Sequence, residues 1–195
     1  MGQYFKGVIL KGDFNTNPSK ECEFSCRSWD FNNGAKLMEQ AWMDNVYVNV
    51  YMKLLSKDYN GYHFVWCGDY ANDFRMTINK LSNKEYMEKY KEHEYIPYYY
   101  NSRLKLDDIN LGYENIKDLR YLINYTKKEY VDLSKHTEIH PLPMLTCSGN
   151  EEGGGGTYRG TNEDMVGYWA YDCIGVDTEK PEDFKELEVS FEEKW

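Results

Sequence analysis

Apolar and polar positions alternate with period two over several short stretches of this chain and recur at helical spacing in fewer. Gln3 to Leu10 reads as a strand, followed by a loop through Gly12 to Pro18. Glu21 to Trp29 sets Cys22, Phe24 and Cys26 on one side, the pattern of a half-buried strand. Asn32-Asn33-Gly34 breaks the chain, and from Ala35 the residues Leu37, Met38, Ala41 and Trp42 recur at helical spacing. Asp44-Asn45 ends that helix or caps a second one, whose apolar face carries Val50, Leu54 and Leu55. Tyr62 to Cys67 is a compact apolar strand running into Gly68-Asp69.

Further along, Ser82-Asn83-Lys84-Glu85 matches a capping box and predicts a charged helix from Asn83 to His93, stopped by Ile96-Pro97. Asn101 to Glu114 reads as irregular surface. Leu119 to Tyr125 and Glu129 to Leu133 flank Thr126-Lys127-Lys128 and predict a hairpin. Pro141 and Pro143 bracket the start of a strand through Cys147, and Met165 to Val176 is strand-like, interrupted by Asp172. The last segment fits a helix through Phe184, Leu187, Phe191 and Trp195, or a strand through Leu187, Val189 and Phe191; the balance leans to strand. The elements alternate without regular βαβ spacing. The expectation is therefore α+β, one domain over residues 1–195, with a mainly antiparallel sheet and two to four helices.

With 195 residues and 16% aromatics the chain can bury a sizeable core, and Trp29, Trp42, Trp66 and Trp169 are its expected anchors. Its nineteen tyrosines exceed what a core absorbs, so many are expected at the surface, where a rigid ring with a polar tip suits an interface. A formal net charge of −10 repels phosphates. That argues against direct nucleic-acid binding and for a protein partner with a basic surface. Five cysteines without framework spacing, and no signal peptide ahead of them, read as reduced thiols in the cytoplasm. No apolar run approaches membrane-spanning length, and Lys6 stands where a myristoylation signal needs Ser or Thr.

Five blocks carry a resemblance: Met1-Gly2-Gln3-Tyr4-Phe5, Gly34 to Glu39, Trp66 to Asn72, the loop from Gly149 to Gly160, and Val166 to Asp172. They resemble microbial and phage proteins that open MGQYY and carry GLKLxE, AGDYAD, GNGRGGGD and VGSWAxD. No activity is established for that family, so the resemblance implies a shared architecture around the glycine loop, Asp69 and Asp172, and no mechanism. This chain departs from the pattern where Glu151-Glu152 replace the basic position and Thr157 the aspartate. A phage or mobile-element relationship implies, as one role, inhibition of a host enzyme.

The densest candidate chemistry is that loop, Ser148 to Gly160, with Gly153, Gly154, Gly155 and Gly156 in a row and Arg159 as the nearby cation. Such a run is either a connector or a backbone cradle for an anion. It lacks the Lys-Ser or Lys-Thr of a phosphate loop, and the dinucleotide glycine fingerprint fails in every register. Asp69 and Asp172 each end an aromatic stretch; they pair as metal or acid–base carboxylates, or each caps a turn or meets a cation. Cys22, Cys26, His136 and His140 offer a zinc set with the wrong spacing, and His140 precedes Pro141. A Cys147 nucleophile with His140 as base has no orienting acid in view. Asp177 to Lys194 is an acidic face, either solvated or a docking surface.

Two functional readings follow. The first is a small acidic binding protein that acts through a tyrosine-rich surface. The second is a binder of nucleotide or phosphate ligands, or an enzyme, using the loop with Arg159, Asp69 and Asp172. No metal or cofactor is expected. The cysteine usage predicts five free thiols, and an intact mass under non-reducing conditions that lacks any hydrogen pair would overturn it.

Overall fold

The computed structural model describes residues 2–71, 96–108, 116–150 and 158–192. The strands are β1 (Phe5–Asp13), β2 (Cys22–Phe24), β3 (Tyr62–Gly68), β4 (Tyr121–Asn124), β5 (Glu129–Asp132), β6 (Cys147–Ser148), β7 (Cys173–Asp177) and β8 (Lys185–Glu186). They form one sheet in the order β2-β1-β3-β7-β4-β5-β8, with β6 also paired to β3. Only the β3–β6 and β5–β8 pairings are parallel among these. Three α-helices accompany the sheet among the described residues: α1 (Leu37–Gln40), α2 (Val46–Leu55) and α3 (Pro141–Leu145). The architecture is α+β with a mainly antiparallel sheet, as the alternation of short elements implies.

β3 is the hub. It pairs with β1 along one side and with β7 and β6 along the other, and every residue from His63 to Gly68 is buried. Its Phe64 and Trp66 join the larger core under α2, whereas Val65 and Cys67 point to the opposite face with Val8, Leu10 and Cys22. That second face is covered by Ile96, Tyr98 and Tyr100. Helix α2 starts where Asn45 accepts from the backbone N–H groups of Tyr47 (2.9 Å) and Val48 (3.4 Å). It buries Tyr47, Val48, Tyr51, Met52 and Leu55 completely or nearly so.

Tyr47 and Tyr51 do more than fill space. Continuing the Ile9↔Phe24 register places Gly7 opposite Cys26. There the two chains part, and the two phenols stand between them. Tyr51 Oη donates to the Gly7 carbonyl (2.7 Å) and accepts from the Cys26 N–H (3.2 Å). Tyr47 Oη donates to the Cys26 carbonyl (2.8 Å) and accepts from the Gly7 N–H (3.3 Å). Each hydroxyl thus replaces one direct ladder bond with a relay. Gly7 is required because a β-carbon there would lie 2.6 Å from the Tyr51 ring. Beside this pair, Gln40 accepts from Trp66 Nε1 (2.7 Å) and donates to the Phe5 and Gly34 carbonyls.

Several sequence expectations need correction. Trp66 and Trp169 are fully buried, but Trp29 and Trp42 are 53% and 40% exposed, so only two of the expected anchors serve the core. Cys22 and Phe24 do not share a face. Ile9 opposes Phe24 while Leu10 opposes Cys22, so Glu23 is an extra residue in a β-bulge that turns the chain over. The run from Leu142 is helical, because Pro141 opens α3 at its first position and His140 Nδ1 caps it by accepting from the Leu142 N–H (3.1 Å). The stretch from Met165 stays in turns until Cys173, since Gly167 and Tyr171 adopt positive φ of 80° and 66°. The helical spacing from Ala35 yields only the four residues of α1. The C-terminal strand is two residues long, and Phe191 beyond it is buried against Tyr158. The helix expected over 83–93 and part of the irregular surface over 101–114 lie outside the described residues.

The phenol relay generates a direct test. Tyr51→Phe keeps the ring but leaves a buried N–H and carbonyl unpaired, and should lower unfolding stability by roughly 2–3 kcal/mol. Denaturant titration measures it; a loss within error of zero would contradict the relay.

Candidate functional site

The C-terminal end of β3 delivers Asp69 to the surface beside the start of β1. Its N–H donates to the Tyr4 carbonyl (2.9 Å) and its Oδ1 accepts from the Tyr4 N–H (3.0 Å). A 3-10 turn over Pro97–Tyr99 lies alongside, and Tyr99 Oη donates to the Asp69 carbonyl (3.1 Å). Tyr70 follows directly. The half-buried Asp69 thus has three exposed tyrosines as chain or hydrogen-bond neighbours, Tyr4, Tyr70 and Tyr99, at 48%, 42% and 48% exposure. Burial and then the Asp69 charge push the Tyr98 phenol up to about 12 and also raise Tyr99. These hydroxyls therefore remain protonated donors. Next to the patch, Lys6 Nζ sits 5.2 Å from the Tyr98 ring centre and Arg27 packs over Trp29.

On the other side of Tyr4, Gln3 donates through Nε2 to the Asn150 carbonyl (2.7 Å) and accepts from the Asn150 N–H (3.3 Å). This tie fixes one shoulder of a hollow of about 640 Å³, whose lining includes Ser148, Asn150, Tyr158, Arg159, Glu163 and Tyr171. Tyr171 Oη donates to Ser148 Oγ (3.1 Å) across its floor. Gly167 closes the approach to β6, since a β-carbon there would stand 2.5 Å from the Cys147 carbonyl oxygen. Arg159 is exposed at the rim. Gly153, Gly154, Gly155 and Gly156 lie outside the described residues.

Asp69 and Asp172 are not a pair. The Asp172 carbonyl accepts from Phe64 near the start of β3, whereas Asp69 follows Gly68. The four strand steps between Phe64 and Gly68 separate them by about 13 Å. Asp172 instead accepts from Asn124 Nδ2 (2.8 Å) and forms an ion pair with Lys127, which lies over Tyr168. Its carboxylate locks the β4–β5 hairpin onto the start of β7. Among the sequence candidates the structure brings Asp69 near Asn150 through Gln3, places Arg159 on the hollow beyond, and leaves Asp172 at the far end.

The thiol and imidazole candidates have structural duties. All five cysteines are free and buried. No group of potential metal ligands occurs among the described residues, so Cys22, Cys26, His136 and His140 do not assemble. His140 is a helix cap, lowered to about 3 by burial, and burial raises the Cys147 thiol, so the two make no nucleophile and base. His63, which the sequence did not single out, is more unusual. Its Nδ1 and Nε2 each lie 2.9 Å from a backbone carbonyl, of Tyr171 and Thr16. Neither carbonyl can donate, so both nitrogens must. Burial opposes the charge, but the contacts with Cys173 and the two carbonyls outweigh it and raise His63 to about 9. Cys173 Sγ lies 3.5 Å and 3.6 Å from the two nitrogens, a near-equal spacing that sets the sulfur over the ring face. The arrangement is a buried imidazolium clamp holding Tyr171 and the 13–19 loop to the sheet.

The signals for the tyrosine patch were present in Gly68-Asp69-Tyr70 and in Tyr98-Tyr99-Tyr100, but nothing in one dimension joined them to Tyr4. No protein family, curated protein or solved structure matches the chain.

Because His63 is raised above 6.5 in the folded protein, its stabilisation is fully present below about pH 6.5 and lost as pH rises through about 9. Unfolding midpoints measured across that range should fall for the wild type, and His63→Gln should remove that component of the slope. Parallel profiles for the two proteins would refute the clamp.

Proposed function

We propose that this chain is a binding protein that docks a basic segment of a protein partner on the tyrosine patch around Asp69. The observation that carries the reading is a half-exposed carboxylate, Asp69, with exposed tyrosines at positions 4, 70 and 99 as its chain or hydrogen-bond neighbours, which together offer a lysine or arginine side chain an ion pair and aromatic faces. The net charge of −10 supports it by drawing basic partners from a distance. The Tyr4 backbone is tied to Asp69 on both its N–H and its carbonyl, and the Tyr99 hydroxyl donates to the Asp69 carbonyl, so the backbone of the patch and the Tyr99 ring are already ordered before binding. Among the described residues no helix is long and apolar enough to cross a membrane.

A second reading retains a specific observation. Arg159 lines the hollow beside Ser148 and Tyr171 and has no ion-pair partner among the described residues. An anionic ligand such as a phosphate would meet one cation and two hydroxyls there, with Glu163 opposing it. Calorimetric titration of phosphate and nucleotides supports this reading if the signal saturates and Arg159→Ala abolishes it.

The docking reading predicts that a lysine- and arginine-rich peptide binds the wild type at low salt. Affinity should fall as salt shortens the range of exposed charge attraction toward about 3 Å at molar strength. Asp69→Asn still accepts from the Tyr4 N–H and should weaken binding about tenfold, as should Tyr70→Ala. Salt-independent affinity, or an Asp69→Asn variant that binds like wild type, would remove the reading.

A further inference from the structure

A separate hollow shares no lining residue with the one at Arg159. It measures about 850 Å³, within the span of small-molecule sites, and is lined by Trp42, Lys135, His136, Glu138, Phe191 and Glu192 among others. Its walls are fixed by backbone. Residues 41–43 run antiparallel to 138–140 through the Trp42↔Ile139 bridge, with Met43 N–H donating to the Glu138 carbonyl (2.8 Å) and His140 N–H to the Ala41 carbonyl (2.9 Å). The facing segment is held where Thr161 Oγ1 donates to the Ser190 carbonyl (2.9 Å) and the Glu192 N–H donates to Tyr158 Oη (2.9 Å). Phe191 is buried edge-on to the Tyr158 ring.

The chemistry of the lining is one-sided. Trp42 presents a large indole that is 40% exposed, although its backbone is locked into the fold. Glu138 and Glu192 have no ion-pair partner among the described residues, while the cation of the set, Lys135, is already paired with Glu186. Burial lowers His136, so at neutral pH it adds no positive charge. The hollow therefore combines a flat aromatic wall with two carboxylates that no cation among the described residues pairs. We infer that it is a binding site for a flat organic cation, of the aromatic amidinium or guanidinium class, stacked on Trp42 and paired with Glu138 and Glu192. This site is independent of the docking patch.

Benzamidine is a suitable probe, with neutral benzamide as its isostere. Titration followed through the Trp42 indole N–H resonance, assigned with Trp42→Phe, should give a saturable shift for benzamidine and none for benzamide. Glu138→Gln combined with Glu192→Gln alters exposed side chains only and should weaken binding at least about tenfold. Asp69→Asn should leave the titration unchanged. The inference is overturned if the Trp42 resonance does not move saturably, if benzamide binds equally, or if the glutamine variant, with native amide dispersion intact, keeps wild-type affinity. Loss of the shift in Asp69→Asn would overturn it as well, by assigning the probe to the patch.

Discussion

The position at which β1 and the chain after β2 separate governs much of this molecule. Gly7 and Cys26 would face one another as an ordinary pair, and two phenols from α2 occupy the gap instead. A buried backbone N–H or carbonyl left unpaired costs on the order of 1–3 kcal/mol, so the relay requires both hydroxyls and both rings in place. That requirement fixes α2 against the sheet in rotation and in height. It also explains the glycine at position 7, which gives way to the Tyr51 ring, and it sits beside Gln40, whose amide links Trp66 to the carbonyl of Phe5.

From this anchored corner, β3 distributes everything else. Its C-terminal end carries Asp69 to the tyrosine patch and, through Gln3, adjoins the hollow at Asn150 and Arg159. Its N-terminal end carries His63, clamped between the Thr16 and Tyr171 carbonyls, and the backbone bond to Asp172. Tyr171 connects the two ends: its carbonyl meets the His63 ring, while its hydroxyl reaches Ser148 on the floor of the hollow. The left-handed backbone of Tyr171 is thus held from both sides.

Charge is distributed in the same selective way. Several cations are consumed by local pairs, Lys11 with Glu21, Arg103 with Glu23, Arg120 with Asp132, Lys127 with Asp172 and Lys135 with Glu186. Such half-exposed pairs contribute little stability individually. Among the described residues these pairs leave other acids without a cation, and both Asp69 and the Trp42 hollow carry carboxylates near exposed aromatic residues. Exposed aromatic residues near acids that have no cation partner among the described residues recur on this surface, and both proposed sites rest on that combination.

The sequence by itself determined the local elements whose signals are local. The strands β1 and β3, the β4–β5 hairpin around residues 126–128 and the Asn45 cap of α2 depend on neighbours a few positions apart; β3 is the compact apolar run, β1 continues to Asp13 past its expected end at Leu10, and Asn45 takes the second of the two roles open to it. The acidity, the free thiols and the surplus of tyrosine were equally legible. Tertiary structure decided the rest, because those features depend on partners far along the chain. Whether Leu142–Leu145 is strand or helix turned on the cap supplied by His140 and on burial from every side, which an apolar run does not reveal. The bulge at Glu23 reversed the faces of Cys22 and Phe24 through pairing with β1. Asp69 and Asp172 looked alike after their tryptophans, yet one meets Tyr4 and the other Lys127, since opposite ends of β3 receive them. His63 carried no signal at all: its charge follows from two carbonyls, one 47 and the other 108 residues away, that only the folded chain brings to its ring.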